Sequence, residues 1–318
     1  MQAADSVEIT TLVDDYVNGF LPSSEGISRS RVDAVLGLDP GKPLLAEFGW
    51  SALVKIKKGG RVYPILFDTG LGKQALLHNA QALKVDLSEI EAVVTSHGHP
   101  DHTAACVEAV QAINRDDLPL IIHPDALRRR TLIFPGGERY DLAYFLDEKK
   151  LHENGARIEK NKNPTPLASE SALVTGGIPR VTDFERGMPP NTHYAIVDAS
   201  LVHDPLIPDD QGLVINVKDK GLVVISGCAH AGIINTIKYA KEISGINKIH
   251  AIIGGFHLTG NFFGQIIDPT VASIQEVSPR IVIPSHCTGL RALVKIANAV
   301  PEAFVENSVG TTFQVGRE

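Results

Sequence analysis

Residues 95–103 read TSHGHPDHT and hold His97, His99, Asp101 and His102 within six positions, in a chain of 318 residues with only 12 histidines. Imidazole and carboxylate are the borderline donors that zinc, iron and manganese accept. Three imidazoles packed this closely lose free energy on burial unless a cation or hydrogen-bond partners compensate them. Metal binding is therefore the chemistry this spacing points to. His97 and His99 are two apart, so in extended chain both side chains leave one face. Asp101 and His102 follow at the entry to a helix, where the chain turns back. Ligands from both sides of such a bend can face one pocket.

The elements that must hold these residues can be read around them. Residues 7–13, VEITTLV, are an expected strand, and residues 21–43, rich in Gly, Pro, Ser and charge, an expected loop. The stretch SALVKIKKGGRVYPILFDTG alternates and breaks at Gly59-Gly60, which predicts a hairpin of strands 51–57 and 61–67. DLSEIEAVVTSH predicts an N-cap at Asp86, a short helical turn and a strand from Ala92 to Thr95. After the histidine cluster, Ala105, Val107, Val110 and Ile113 suit one helix face, and LPLIIHP reads as a buried strand. Residues 126–165, with aromatics Phe134, Tyr140, Tyr144 and Phe145, read as an irregular insertion that could act as a lid; Arg128 to Arg130 within it read as a solvated helix face. From residue 171 the pattern is β-rich. It closes with a strand at 222–226, a helix at 232–243, a strand at 249–253, a helix around 268–277 and a strand at 281–284. Hairpins followed by alternating α and β units predict a single domain over residues 1–318, an α/β sandwich of two mixed sheets with helices outside.

Composition narrows the function class. Hydrophobic residues are 43% and charged residues 21%, ordinary for a globular chain. A net charge of −7 argues against a nucleic-acid partner. No basic, apolar leader opens the sequence, and no run has the length of a membrane span, so no membrane partner is expected. Three cysteines, Cys106, Cys228 and Cys287, fit a reducing cytoplasm better than a disulfide framework. The glycine pairs in TGGIP and GGFH are not phosphate-binding fingerprints; they permit sharp turns or close backbone approach.

HGHPDH resembles the H-x-H-x-D-H signature of the metallo-β-lactamase superfamily, and FDTG at 67–70 resembles the strand-end motif that precedes it. DDQGLVI, SGCAHAGIINT, GGFHL, PSHCTG and NSVGTTF are similar to a narrower branch, the dihydropterin–aminobenzene-phosphate synthase-like proteins, and the likeness spans nearly the whole chain. It implies an αββα sandwich with a one- or two-metal site at the edge of the sheets. By resemblance, Asp101, His102 and His286 would serve one metal, and His97, His99 and a further histidine the other. Superfamily members carry a bridging aspartate where this chain has Cys228, and no histidine stands in the PDDQG segment upstream. His230 is the nearest candidate for the missing ligand, with Asp210 and His203 as alternatives. Cys228 is either a thiolate ligand or a buried small residue. Asp68 would orient ligand imidazoles. His257 would protonate a leaving group, bind substrate, act as a further ligand, or be structural. His123 reads as structural, and Phe184, Arg186 and Met188 as a loop at the pocket edge or an ordinary surface loop.

The implied cofactors are two divalent transition metals, zinc first, with Mn²⁺ or Fe²⁺ also suited to these donors. The implied activity is metal-dependent hydrolysis of a small ester, lactone, amide or phosphoester, with Asp101 and His257 as the catalytic pair. The competing activity is a transferase that joins a dihydropterin diphosphate to a ribofuranosyl-aminobenzene phosphate. A metal-binding protein without catalysis and a di-iron redox protein are lesser readings, the latter because such proteins carry an additional flavin domain.

Overall fold

The computed structural model describes residues 1–30, 43–143 and 145–316. Most of the loop expected over 21–43, and Tyr144, lie outside the described residues.

Two mixed sheets form the body among the described residues. The first runs in the order Ile27–Ser28, Thr312–Gly316, Ser6–Val13, Ser51–Lys58, Arg61–Phe67, Ala92–Val94, Leu118–Ile122, Ala156–Lys160. The second runs Thr165–Leu167, Ala172–Val174, Gly212–Val217, Gly221–Ser226, Ile249–Gly255, Ile281–Ser285. Alternation along the strands explains their packing. Val54, Ile56, Ile65 and Phe67 face inward and share a core with Leu213, Ile215, Val223, Ile225, Ile253 and Ile283 of the other sheet. Their neighbours Leu53, Leu66 and Val93 face out, onto the helices Lys73–Ala82 and Cys106–Ile113. On the far side Val224, Ile252 and Val282 meet the helices Ile233–Ser244, Ile267–Val277 and Leu290–Ala299. A period of two places apolar side chains on both faces of each sheet, so helices are required on each outer surface. The result is the αββα sandwich that the sequence predicts.

Strand direction positions the site. Arg61–Phe67, Ala92–Val94 and Leu118–Ile122 are mutually parallel, as are Gly221–Ser226, Ile249–Gly255 and Ile281–Ser285. The segments leaving their carboxyl ends carry Asp68, His97, Cys228, His230, His257 and His286. The carboxyl ends of parallel strands are where open α/β sheets build ligand sites.

Residues 126–165 differ from the irregular insertion expected of them. Ala156–Lys160 is an edge strand of the first sheet, and Thr165–Leu167 an edge strand of the second. The helix Glu148–Glu153 buries Leu151 against the outer core. Arg129–Ile133 and Arg139–Asp141 instead join His193–Val197 and Ser200–His203 in a separate four-stranded sheet. The strand Arg129–Ile133 finds its second partner some 60 positions away (His193 pairs with Leu132), a separation that local periodicity does not register.

Arg130 corrects a second expectation. It lies on a strand, not a helix face, and is buried. Its guanidinium donates from Nε to Asp204 Oδ2 at 2.8 Å and pairs with buried Asp209. Burial works against the Asp209 charge, but Arg130 holds the carboxyl below its ordinary range. Asp209 Oδ2 also accepts from Gly98 N at 2.8 Å, between His97 and His99. Removing one partner of a buried pair strands the other charge. Arg130→Ala is therefore expected to lower unfolding free energy by about 3–5 kcal/mol, read as a shifted urea midpoint. An unchanged midpoint would show that the pair contributes nothing net.

Candidate metal centre

The sequence brings His97 and His99 out of a buried strand end with Gly98 between them. A Cβ at Gly98 would stand 2.2 Å from Ala126 O, so only glycine fits there. His99 has extended backbone, φ −71° and ψ 149°, and Pro100 opens the short helix Pro100–Thr103, as proline's fixed φ favours. The chain therefore bends between His99 and Asp101, which line one cavity, with His97 and His102 buried behind them.

Two donor groups result. His230 Nε2 lies 3.1 Å from both His97 Nε2 and His99 Nδ1. Beside this trio, Asp101, His102, Cys228 and His286 bring one donor atom each within 4.8 Å of one another. His102 Nε2 is 3.0 Å from Cys228 Sγ and 3.6 Å from Asp101 Oδ2, and His286 Nε2 is 3.2 Å from Asp101 Oδ2. The rings of His97 and His102, one from each group, are 4.4 Å apart between centroids.

The outer ring nitrogens explain why the inner ones converge. His102 Nδ1 donates to Asp68 Oδ2 at 2.7 Å, and His286 Nδ1 donates to Asp15 Oδ1 at 2.9 Å. Each carboxylate fixes its ring so that Nε2 faces inward, where a cation would replace the proton that Nε2 otherwise turns towards Asp101. His97 Nδ1 lies 2.9 Å from Ser96 Oγ, leaving its Nε2 for the cluster. Asp68 also accepts from Ser96 N at 2.6 Å and is held at φ 57°. His257 and His286 share that left-handed backbone, at φ 46° and 49°, a cost that strand-end sites commonly carry.

Electrostatics make the arrangement fit a cation. Burial, then the neighbouring His102, His99 and Arg130, pushes His97 well below its ordinary value. Burial, followed by His257, His97 and His99, does the same to His230. Burial, followed by Arg130, pushes His99 down to about 3. Three uncharged imidazoles turn a nitrogen to one point, an arrangement that suits a divalent cation accepting all three lone pairs. Burial opposes the Asp101 charge, but His102 and His286 keep its carboxyl below the usual range, so it meets the second group as a carboxylate. Burial pushes the Cys228 thiol up, which leaves it a soft donor only where a cation replaces its proton. The donor chemistry of both groups fits divalent metal.

The other anticipated residues fall as follows. His257 has its ring 4.4 Å from that of His230, and its Nδ1 is buried without a partner among the described residues. Of the alternatives to His230, His203 is exposed and its Nε2 accepts from Asn191 N, away from the cluster. Asp210 is buried beside Ala231, whose N–H it accepts at 2.7 Å, and burial raises its carboxyl to about 7; it belongs to neither donor group. His123 accepts from Asp125 N at 3.1 Å as a helix cap, the structural role expected. Met188 lines the cavity, while Phe184 and Arg186 edge an adjoining one.

Sequence reasoning missed Asp14, Asp15 and His193. Asp14 accepts from His286 N at 3.0 Å and from Asn307 Nδ2 at 2.6 Å. Burial, with Asp15 beside it, raises Asp14 to about 7. Both aspartates end the first long strand, so only the acidic pair after VEITTLV marked them. His193 stands at the start of its strand in the small sheet, with its ring 6.3 Å from that of His99. Burial, followed by His257, Arg130 and His203, pushes it down to about 4. The cavity, about 530 Å³, opens over the donors and is walled by Phe48, Leu71, Leu132, Leu142 and Met188.

The profile described as the metallo-beta-lactamase superfamily matches residues 46–128. A 7,8-dihydropterin-6-methyl-4-(beta-D-ribofuranosyl)-aminobenzene-5'-phosphate synthase of Methanocaldococcus jannaschii is 29% identical over 295 residues, covering 91% of this chain and 90% of that protein. An uncharacterized protein of the same organism is 30% identical over 277 residues, covering 85% of this chain and 94% of its own length. Among solved structures, a metal-dependent hydrolase of the β-lactamase superfamily superposes with a TM-score of 0.71 at 24% identity, covering 98% of this chain and all of that one.

Proposed function

Because the chain belongs to the metallo-β-lactamase superfamily, we propose that it is a metallohydrolase acting on a small ester, lactone, amide or phosphoester. The observation that carries this reading is the pair of adjoining donor groups at the floor of one open cavity. His97, His99 and His230 would hold one divalent ion, and Asp101, His102 and His286 the other, with Cys228 beside both. Such ions, when bound, would supply Lewis-acid chemistry, activating water and polarising the bond under attack. The protein supplies the rest. Asp68 and Asp15, on the Nδ1 side of His102 and His286, would keep each Nε2 turned towards the ion. Asp101 keeps a negative charge between the imidazoles. His257, at the cavity wall, would hand a proton to the departing group. Zinc suits this imidazole-rich set best, and Mn²⁺ or Fe²⁺ would also be accepted.

A second reading is favoured by the 29% identity to the synthase over 91% of the chain: a transferase in which the same centre binds a diphosphate and promotes its departure. The two readings predict different co-substrates. Metal-loaded protein should cleave at least one class in a panel of aryl esters, lactones, anilides and phosphodiesters without an added acceptor. No cleavage of the panel, with diphosphate released from a dihydropterin diphosphate only when a ribofuranosyl-aminobenzene phosphate is added, would overturn the hydrolase in favour of the transferase.

No helix among the described residues is long and apolar enough to cross a membrane, and the three thiols are free and buried. The reading takes a small molecule as the partner, in keeping with a cavity of about 530 Å³.

A further inference from the structure

Two polar groups of the cavity wall have no part in the proposed chemistry, Thr259, which is exposed, and His193, which is buried. Thr192 Oγ1 donates its single hydrogen to Pro189 O at 2.7 Å. The same oxygen lies 2.8 Å from His193 Nδ1. With its hydrogen committed to a carbonyl, the hydroxyl can only accept from the ring, so Nδ1 carries the proton. The other nitrogen, Nε2, makes no hydrogen bond among the described residues, and the ring lines the cavity. Around it the wall is apolar: Leu132, paired with His193 across the sheet, together with Leu142, Met188, Leu71 and Phe48.

We infer that His193 Nε2 is a specificity-determining hydrogen-bond acceptor, which selects substrates carrying an O–H or N–H donor on an apolar, aromatic-sized group beside the reacting bond. The inference rests on reading this cavity as the substrate site. The chemistry of the wall sets the class. A flat apolar body covers the leucines, Met188 and Phe48, and a single donor on it meets the lone pair that His193 presents among them. A group lacking that donor would leave Nε2 desolvated and unpaired, which costs more than the bond itself contributes. The small sheet that carries His193 is a separate layer on the sandwich. Selectivity is thus set by an element other than the strands that hold the metal donors.

The test is binding of a matched pair, 1-naphthol and its methyl ether 1-methoxynaphthalene, to zinc-loaded protein by calorimetry. Wild-type protein should prefer the naphthol by about tenfold, the value of one hydrogen bond to a buried acceptor. His193→Phe should erase the preference by weakening the naphthol alone, and His193→Gln should restore part of it through the amide oxygen. Thr192→Val, which frees the ring to change tautomer without altering the wall, should also erode the preference. Equal binding of the pair by wild-type protein would overturn the inference. So would a preference that survives in His193→Phe, since the donor would then be meeting a different group. Turnover is read separately. Cleavage of the panel without any donor preference sinks this inference alone, and a donor preference without cleavage sinks the hydrolase reading alone.

Discussion

Treatment with a chelator should abolish turnover, and addition of Zn²⁺, Mn²⁺ or Fe²⁺ should restore it. The expectation follows from the donors. His97, His99 and His230 are buried and held uncharged, with His230 Nε2 3.1 Å from a nitrogen of each of the other two. Two ions per chain are expected at saturation, one for this trio and one for Asp101, His102 and His286 with Cys228 alongside. A ligand that binds only the folded chain stabilises it by mass action, about 2.7 kcal/mol at a concentration of 100 times Kd. Chelation should therefore lower the thermal midpoint as well as activity. Active, washed protein without a transition metal by elemental analysis would refute the metal reading. A plateau near one ion per chain would refute the two-ion version and point to Cys228 as a poor substitute for a bridging carboxylate.

His230→Ala should cost the first site most of its metal. Loss of a residue that merely orients a ligand costs ~10- to 100-fold in affinity or activity, so loss of one of three nitrogen donors should cost at least that. The fold should survive. The side chain's Nδ1 has no partner among the described residues, and the backbone carbonyl that accepts from Arg180 at 3.0 Å is retained. The informative comparison is His257→Ala. That variant should keep wild-type metal content and lose turnover by ~10²- to 10⁴-fold, the range for a displaced proton donor. Metal per chain, measured in both, separates the roles. Full metal in the His230 variant together with depletion in the His257 variant would reverse the assignment, and His257's position within 4.8 Å of Cys228 and His230 makes that outcome physically accessible.

Much of this was legible in the order of residues, because it depends on local rules. The hairpin expected at 51–57 and 61–67 forms as Ser51–Lys58 and Arg61–Phe67, since alternation and a Gly-Gly turn are short-range signals. The helix and strand units of the second half fall within a residue or two of their expected bounds. The HGHPDH cluster was visible because four potential donors within six positions need no tertiary information. Tertiary structure alone decided the remainder. That His230 and not His203 meets His97 and His99 depends on which strand ends the two sheets bring together. Arg130 became a buried partner of Asp209 because a strand from the small sheet crosses beside the histidine turn, although a run of three arginines looks like solvated surface. Asp15 reaches His286 across a separation of 271 positions, and Asp68 reaches His102 across 34. His193 enters the cavity through pairing with a strand some 60 positions earlier. Chain periodicity reports which way a side chain faces on its own element. Which elements then meet is set by burying both faces of two sheets at once, a constraint on the whole molecule that no short stretch contains.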